Sequence, residues 1–312
     1  MNRIEILMLL TLASVGMVSA ADTTHVKLSS PRAQLTAISA APGEFPEVHL
    51  VVRAVDDSLL PIWDLGMDDV QVQEGAEWAE VLSLRALGDS GAVRLGLALD
   101  FSASMLADSA TFAAQGAVDS VSQGRSGAQA LPPVRTPLDE AKLAIAEFAE
   151  MHPSEFALLA FNDQVYQVVA MGEGLDPMRE AFKVMYPTGG TAMYDAAYQA
   201  VEQVAQLRTA GDGGAVIMLT DGMDNASYWR LEEVVGLAQN QGIPIFTIGL
   251  GQVDRARLSQ LADQTHGRAF FTRESSELSA IYASIQRELA SHYALTFASP
   301  LVASASDWPL EA

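Results

Sequence analysis

Leu95-Gly96-Leu97-Ala98-Leu99-Asp100-Phe101-Ser102-Ala103-Ser104 passes from an apolar run straight into an acid and two hydroxyls. A run without polar alternation fits a strand buried on both faces of a parallel sheet. A second run, Ala215 to Leu219, ends in the same way at Thr220-Asp221-Gly222. Both acids are therefore expected at strand ends. In an open α/β sheet the carboxyl ends of the strands form the rim where ligands bind, so residues remote in sequence converge there. Thr191, which follows Gly189-Gly190, completes the set.

Asp100, Ser102, Ser104, Thr191 and Asp221 bring two carboxylates and three hydroxyls, with no Cys or His among them. Hard oxygen donors of this kind suit Mg²⁺, Mn²⁺ or Ca²⁺ rather than Zn²⁺ or Cu²⁺. Ser102 and Ser104 flank Ala103, so a loop leaving the strand can aim both hydroxyls at one point while Asp100 approaches from the strand end. A D-x-S-x-S string alone is weak, because Asp and Ser are common in turns and helix caps. Joined to a downstream Gly-Gly-Thr and a strand-terminating Thr-Asp-Gly, it becomes specific.

These elements, in this order, resemble the metal-ion-dependent adhesion site of von Willebrand factor A-type domains, a site that integrin inserted domains share. The resemblance covers roughly residues 91–292. Gly190-Thr191-Ala192-Met193-Tyr194-Asp195-Ala196 and Glu288-Leu289-Ala290-Ser291-His292-Tyr293 make it most like bacterial secreted members. It implies that Ser102 and Ser104 bind a divalent cation directly, that Thr191 does so directly or through water, and that Asp100 and Asp221 act mainly through water. Mg²⁺ is the first expectation, with Mn²⁺ and Ca²⁺ open. The implied partner is a protein whose Asp or Glu side chain completes the coordination, in adhesion of the non-enzymatic kind. Two other readings stay open: an accessory subunit of a larger envelope or ATPase-linked assembly, and a structural envelope protein whose cation only stabilises the fold.

The rest of the chain is expected to fill out an α/β fold, a doubly wound and mainly parallel sheet with helices on both faces. Helices are predicted over 138–150, 178–185, 193–207, 231–239, 255–265 and 278–290. Strands are predicted over 156–161, 165–169, 243–248 and 268–272. Before this unit, residues 21–90 read as a small β-sandwich, from β-forming segments at 47–55, 70–74 and 78–85 separated by turn signals. An irregular insertion at 106–134, rich in Gly, Ser, Ala and Gln, separates the first cluster from the helix at Leu138. In the tail, 293–312, Tyr293, Leu295 and Phe297 alternate as an added strand would, and this strand is expected to pack on the N-terminal unit.

Two bland assignments accompany these. Asp195 is explained about equally by orienting the site and by the dipole of the helix it opens. Asp224 and Asn225 are expected in a solvated turn. No H-E-x-x-H, G-x-S-x-G or phosphate-binding glycine loop with Lys is present, so no catalytic motif is assigned.

Composition adds location and partner class. Residues 1–20 carry Arg3, an apolar stretch from Ile6 to Val18 and Val18-Ser19-Ala20, the pattern of a secretory signal cleaved after Ala20. A secreted or periplasmic protein is expected, with no later segment long and apolar enough to span a bilayer. With no cysteine, disulfides and an N-terminal lipid-bearing Cys are excluded. The formal net charge of -21 argues against nucleic acid, which needs a basic footprint. The same field draws divalent cations and repels acidic proteins, so a carboxylate-bearing partner would depend on a bound ion. The sequence leaves the oligomeric state open.

Overall fold

The computed structural model describes residues 24–28, 33–42, 47–56, 60, 62–74, 77–86, 93–106, 136–152, 155–208 and 212–300. The signal pattern at 1–20, nearly all of the 106–134 insertion and the end of the tail lie outside the described residues.

The buried runs form the centre of a six-stranded sheet. Its strands are β6 (Val93–Asp100), β7 (Phe156–Phe161), β8 (Val165–Val169), β9 (Gly213–Thr220), β10 (Ile245–Leu250) and β11 (Ala269–Thr272), in the order β11-β10-β9-β6-β7-β8. All pairings are parallel except the edge pair β7 and β8. Strand periodicity sends alternate side chains to opposite faces, and each face has its own core. Leu95, Leu97 and Leu99 pack with Ile217 and Leu219 under helices α1 (Pro137–Glu150) and α6 (Leu278–Leu289), joined by Met178 of α2 (Asp176–Val184). Ala98, Val216 and Met218 pack under α3 (Met193–Leu207), α4 (Leu231–Gln241) and α5 (Arg255–Gln264). The doubly wound α/β sheet is thus the fold, and the site lies at its carboxyl rim.

Close approach on the second face depends on missing side chains. A Cβ at Gly214 would sit 2.5 Å from Val204 Cγ1, so α3 lies almost against the strands.

The second unit is antiparallel: β1 (Thr24–Leu28), β2 (Ala33–Pro42), β3 (Glu47–Asp56), β4 (Val70–Glu74), β5 (Glu77–Ala86) and β12 (His292–Ala298), in the order β1-β4-β5-β12-β3-β2. Strand β5 gives its first residues to β4 and the rest to β12, and the edge strands β1 and β2 approach one another. Leu50, Val52, Ala54, Val70 and Val72 share one core with Tyr293, Leu295 and Phe297. Residues 21–90 therefore do not fill this sheet alone; a central strand comes from the far end of the chain. Among the described residues no helix is long and apolar enough to cross a membrane.

Candidate metal centre

Neighbouring strands bring the two acids together. Leu99 of β6 pairs with Leu219 of β9, so Asp100 ends one strand beside Thr220 and Asp221 at the end of the next. Ser102 follows in extended backbone and opens a single 3-10 turn, Ala103–Met105, which carries Ser104. Buried Met105 anchors that turn from below. Thr191 arrives by a stitched loop: Thr188 N–H donates to Phe101 O (3.0 Å), Ala103 N–H to Gly189 O (3.2 Å) and Ala192 N–H to Asn162 O (2.6 Å). Gly189 needs the left-handed region, φ 79°, to make this turn.

Four of the five expected donors form one hydrogen-bonded chain. Asp100 Oδ1 accepts from Ser102 N–H (2.7 Å), the Ser102 and Ser104 hydroxyls lie 2.9 Å apart, and Ser104 Oγ donates to Asp221 Oδ1 (2.6 Å). Thr191 is the fifth member: a Cβ added at Gly222 would meet Thr191 Oγ1 at 2.7 Å and Ser104 Oγ at 3.5 Å. Asp100, Ser102 and Thr191 are buried, Asp221 is half-buried and Ser104 is exposed. The cluster thus has a closed floor and an open mouth.

Electrostatics make this a strained anionic site. Burial raises the Asp100 carboxyl above the ordinary range, against hydrogen bonds from Ser102 and Thr220 that favour the charged form. Burial also pushes Asp221 up to about 7; the Ser104 hydrogen bond opposes the rise and the Asp100 charge adds to it. Burial is thus the leading cause of both shifts. Among the described residues no group of three or more His, Cys, Asp or Glu gathers around a point. Beyond the two acids, every donor here is a hydroxyl.

Several functional contacts were not assigned from the sequence. Thr220 donates to Asp100 Oδ2 at 2.5 Å and receives Gly222 N–H, so it orients both acidic strand ends. Asp224 and Asn225, expected in a solvated turn or at the border of the ligand surface, lie in the loop after β9, with Asn225 exposed, and also grip the neighbouring element. Asn225 Oδ1 accepts from Thr191 N–H (2.9 Å), and Asp224 Oδ1 accepts from Met193 N–H (2.9 Å) at the start of α3. Asp195 reaches the other way, accepting from Tyr228 N–H (2.9 Å) and Trp229 N–H (2.8 Å). It therefore holds the loop after β9. A signal for these partners existed in composition: a loop of short acids, amides and Ser facing a helix without its own N-cap side chain.

Residues 138–284 match the family model of the von Willebrand factor type A domain. That span includes Thr191 and Asp221 and starts after the Asp100–Ser104 cluster. Calcium-activated chloride channel regulator 1 of Bos taurus is 31% identical over 86 residues, 28% of this chain and 9% of that protein, so the chain spans under a tenth of that relative. Among solved structures, von Willebrand factor type A from Catenulispora acidiphila aligns at 16% identity and TM-score 0.47, over 83% of this chain and 49% of its own. Proximal thread matrix protein 1 of the mussel byssus aligns at 18% and 0.46, over 65% and 46%. BatB of Bacteroides thetaiotaomicron aligns at 19% and 0.44, over 63% and 98%.

Proposed function

We propose, for a chain that carries a von Willebrand factor type A domain over residues 138–284, that it is an exported, non-enzymatic protein-binding module whose contact depends on a divalent cation. The observation that carries this reading is the hydrogen-bonded chain from Asp100 through Ser102 and Ser104 to Asp221, with Thr191 beside it. The donor set, two carboxylates and three hydroxyls, fits a hard cation, Mg²⁺ first.

Each residue has a role in this reading. Asp100 has both carboxylate oxygens engaged, by Ser102 N–H and by Thr220 Oγ1, so it serves as a fixed charge beneath the donors. Ser102 and Ser104 present hydroxyls from one short turn, the Thr191 hydroxyl lies with Ser104 beside Gly222, and Asp221 is half-buried. A bound cation would supply a Lewis-acidic point that accepts an Asp or Glu carboxylate of the partner. Gly222 keeps the mouth open. The chain's net charge of -21 repels an acidic partner everywhere else, which makes recognition conditional on the ion.

The test is calorimetric titration of Mg²⁺, Mn²⁺ and Ca²⁺ into chelator-stripped protein and into Asp100→Ala, followed by capture of partners from native extract with and without chelator. Uptake by wild type alone, together with chelator-sensitive capture, supports the reading. Absence of uptake of all three ions, or a partner held equally well in chelator, removes it.

A further inference from the structure

Away from the metal centre, the outer side of α3 and the loop bearing Trp229 enclose a groove of about 470 Å³ lined by Tyr198, Gln199, Glu202, Gln203, Gln206 and Trp229. Residues four apart share a helix face, so 198, 202 and 206, with 199 and 203 beside them, set polar side-chain ends in a row. The inner face of the same helix is apolar and packed on the sheet. Tyr198 and Trp229 stack with ring centroids 4.1 Å apart and planes within 5°, while Tyr228 meets Trp229 edge-on at 5.3 Å. The loop that carries them is fixed, because Asp195 accepts both the Tyr228 and Trp229 backbone N–H groups. The aromatic wall is therefore ordered before any ligand arrives, which lowers the entropic cost of binding.

We propose that this groove binds a neutral saccharide. Its lining holds two aromatic rings, three amides, one carboxylate and no cation. Phosphate and carboxylate ligands are disfavoured by Glu202 and by the net charge of -21. A wholly apolar ligand would dry the amides without pairing them, at a cost. A sugar ring matches both halves of the lining. Its C–H face lies on an aromatic ring, and its vicinal hydroxyls both donate and accept, as a side-chain amide does. Gln203 Nε2 donates to Gln167 Oε1 at 3.1 Å, which fixes that amide in place beside the groove. The volume suits a mono- or disaccharide unit.

The proposal does not rest on the metal centre, and its test is run in chelator. The full chain is screened against an array of neutral di- to tetrasaccharides of hexoses and N-acetylhexosamines, and the best binder is titrated calorimetrically. Binding is expected to weaken about tenfold in Trp229→Ala and about fivefold in Gln199→Ala and in Gln206→Ala, the size of one lost hydrogen bond. Gln199 and Gln206 are exposed helix residues, so their variants should keep the wild-type melting temperature and separate binding from folding. Aromatic-lined grooves also take proline-rich peptides, so decaproline is the comparison probe. Binding of decaproline with no saccharide bound, saccharide binding unchanged in all three variants, or loss of binding in chelator would each overturn the proposal.

Discussion

At the scale of single residues, Gly222 and Asp221 make the sharpest predictions. A Cβ at Gly222 would press on Thr191 Oγ1 at 2.7 Å while leaving the strands beneath untouched. Gly222→Ala is therefore expected to weaken Mg²⁺ affinity at least about tenfold, roughly 1.4 kcal/mol, with little change in melting temperature in chelator; calorimetry and thermal denaturation read the two effects separately. Asp221 sets the pH dependence. Its carboxyl, at about 7 in the cation-free fold, lies above the unfolded value of 3.8, so the folded state holds an extra proton between these values. Cation-free stability then falls as pH rises through that window, and a cation must displace the proton below about pH 7. Mg²⁺ affinity is expected to drop on going from pH 7.5 to 6, and a flat profile would show that Asp221 is not a proton competitor. The meeting of Asp100, Ser102, Ser104, Thr191 and Asp221 at one rim was legible because their types and spacing are unusual together. Thr220 was not, since a Thr ending a buried strand looks like any β-former until register sets it opposite Asp100.

At the scale of elements, the start of α3 is the joint that holds the site. Its N-terminus has no capping side chain of its own, and Asp224 supplies one from the next loop by accepting from Met193 N–H. Asp224→Ala should cost about 1–2 kcal/mol, and lower the melting temperature by about 3–6 °C, because it leaves helix donors unpaired. A fall in cation affinity should accompany it, since Asn225 on the same loop holds Thr191; unchanged stability in a thermal scan would rule out the capping role. Element type was readable from local pattern alone. The uninterrupted apolar runs gave β6 and β9, and the amphipathic segments gave α1 and α3. Boundaries were less so where an apolar residue serves a cap: Ile243 looks like the start of β10, but it is buried behind Gly242, whose φ of 57° ends α4, and its N–H bonds back to Ala238 O. The strand starts only at Ile245, as a hydrophobic contact after a glycine cap would lead one to expect.

At the scale of the whole molecule, the last strand makes the two units interdependent. The alternation of Tyr293, Leu295 and Phe297 shows a strand, yet nothing local says that it enters between β3 and β5, whose residues precede it by some two hundred positions. The join is charged and buried. Arg53 of β3 pairs with Glu288 of α6 at 2.7 Å, and Arg268 reaches the same carboxylate at 3.7 Å. Beside them His292 is buried and, with Val51, Val93, Pro244 and Leu289, lines a small internal pocket, its Nε2 buried and unpartnered. Burial, with the nearby Arg53 charge, lowers the His292 imidazole to about 3. The unfolded chain therefore binds a proton near pH 6.5 that the folded chain refuses. Stability tied to neutral His292 is complete above that value and is lost as pH falls toward 3, by about 1.4 kcal/mol per pH unit at most. His292→Phe keeps a flat ring, its larger size taken up by the adjoining pocket, and removes both the titration and the unpaired nitrogen, so it should be neutral or stabilising at pH 7 and flatten the acid limb. Urea denaturation of both proteins from pH 7 to 4.5, with the cation held absent, makes the comparison, because the opposite contributions of Asp100 and Asp221 cancel in the difference. Parallel profiles would mean that the folded chain takes up the His292 proton as readily as the unfolded chain does, and that burial of this imidazole does not set the acid limb.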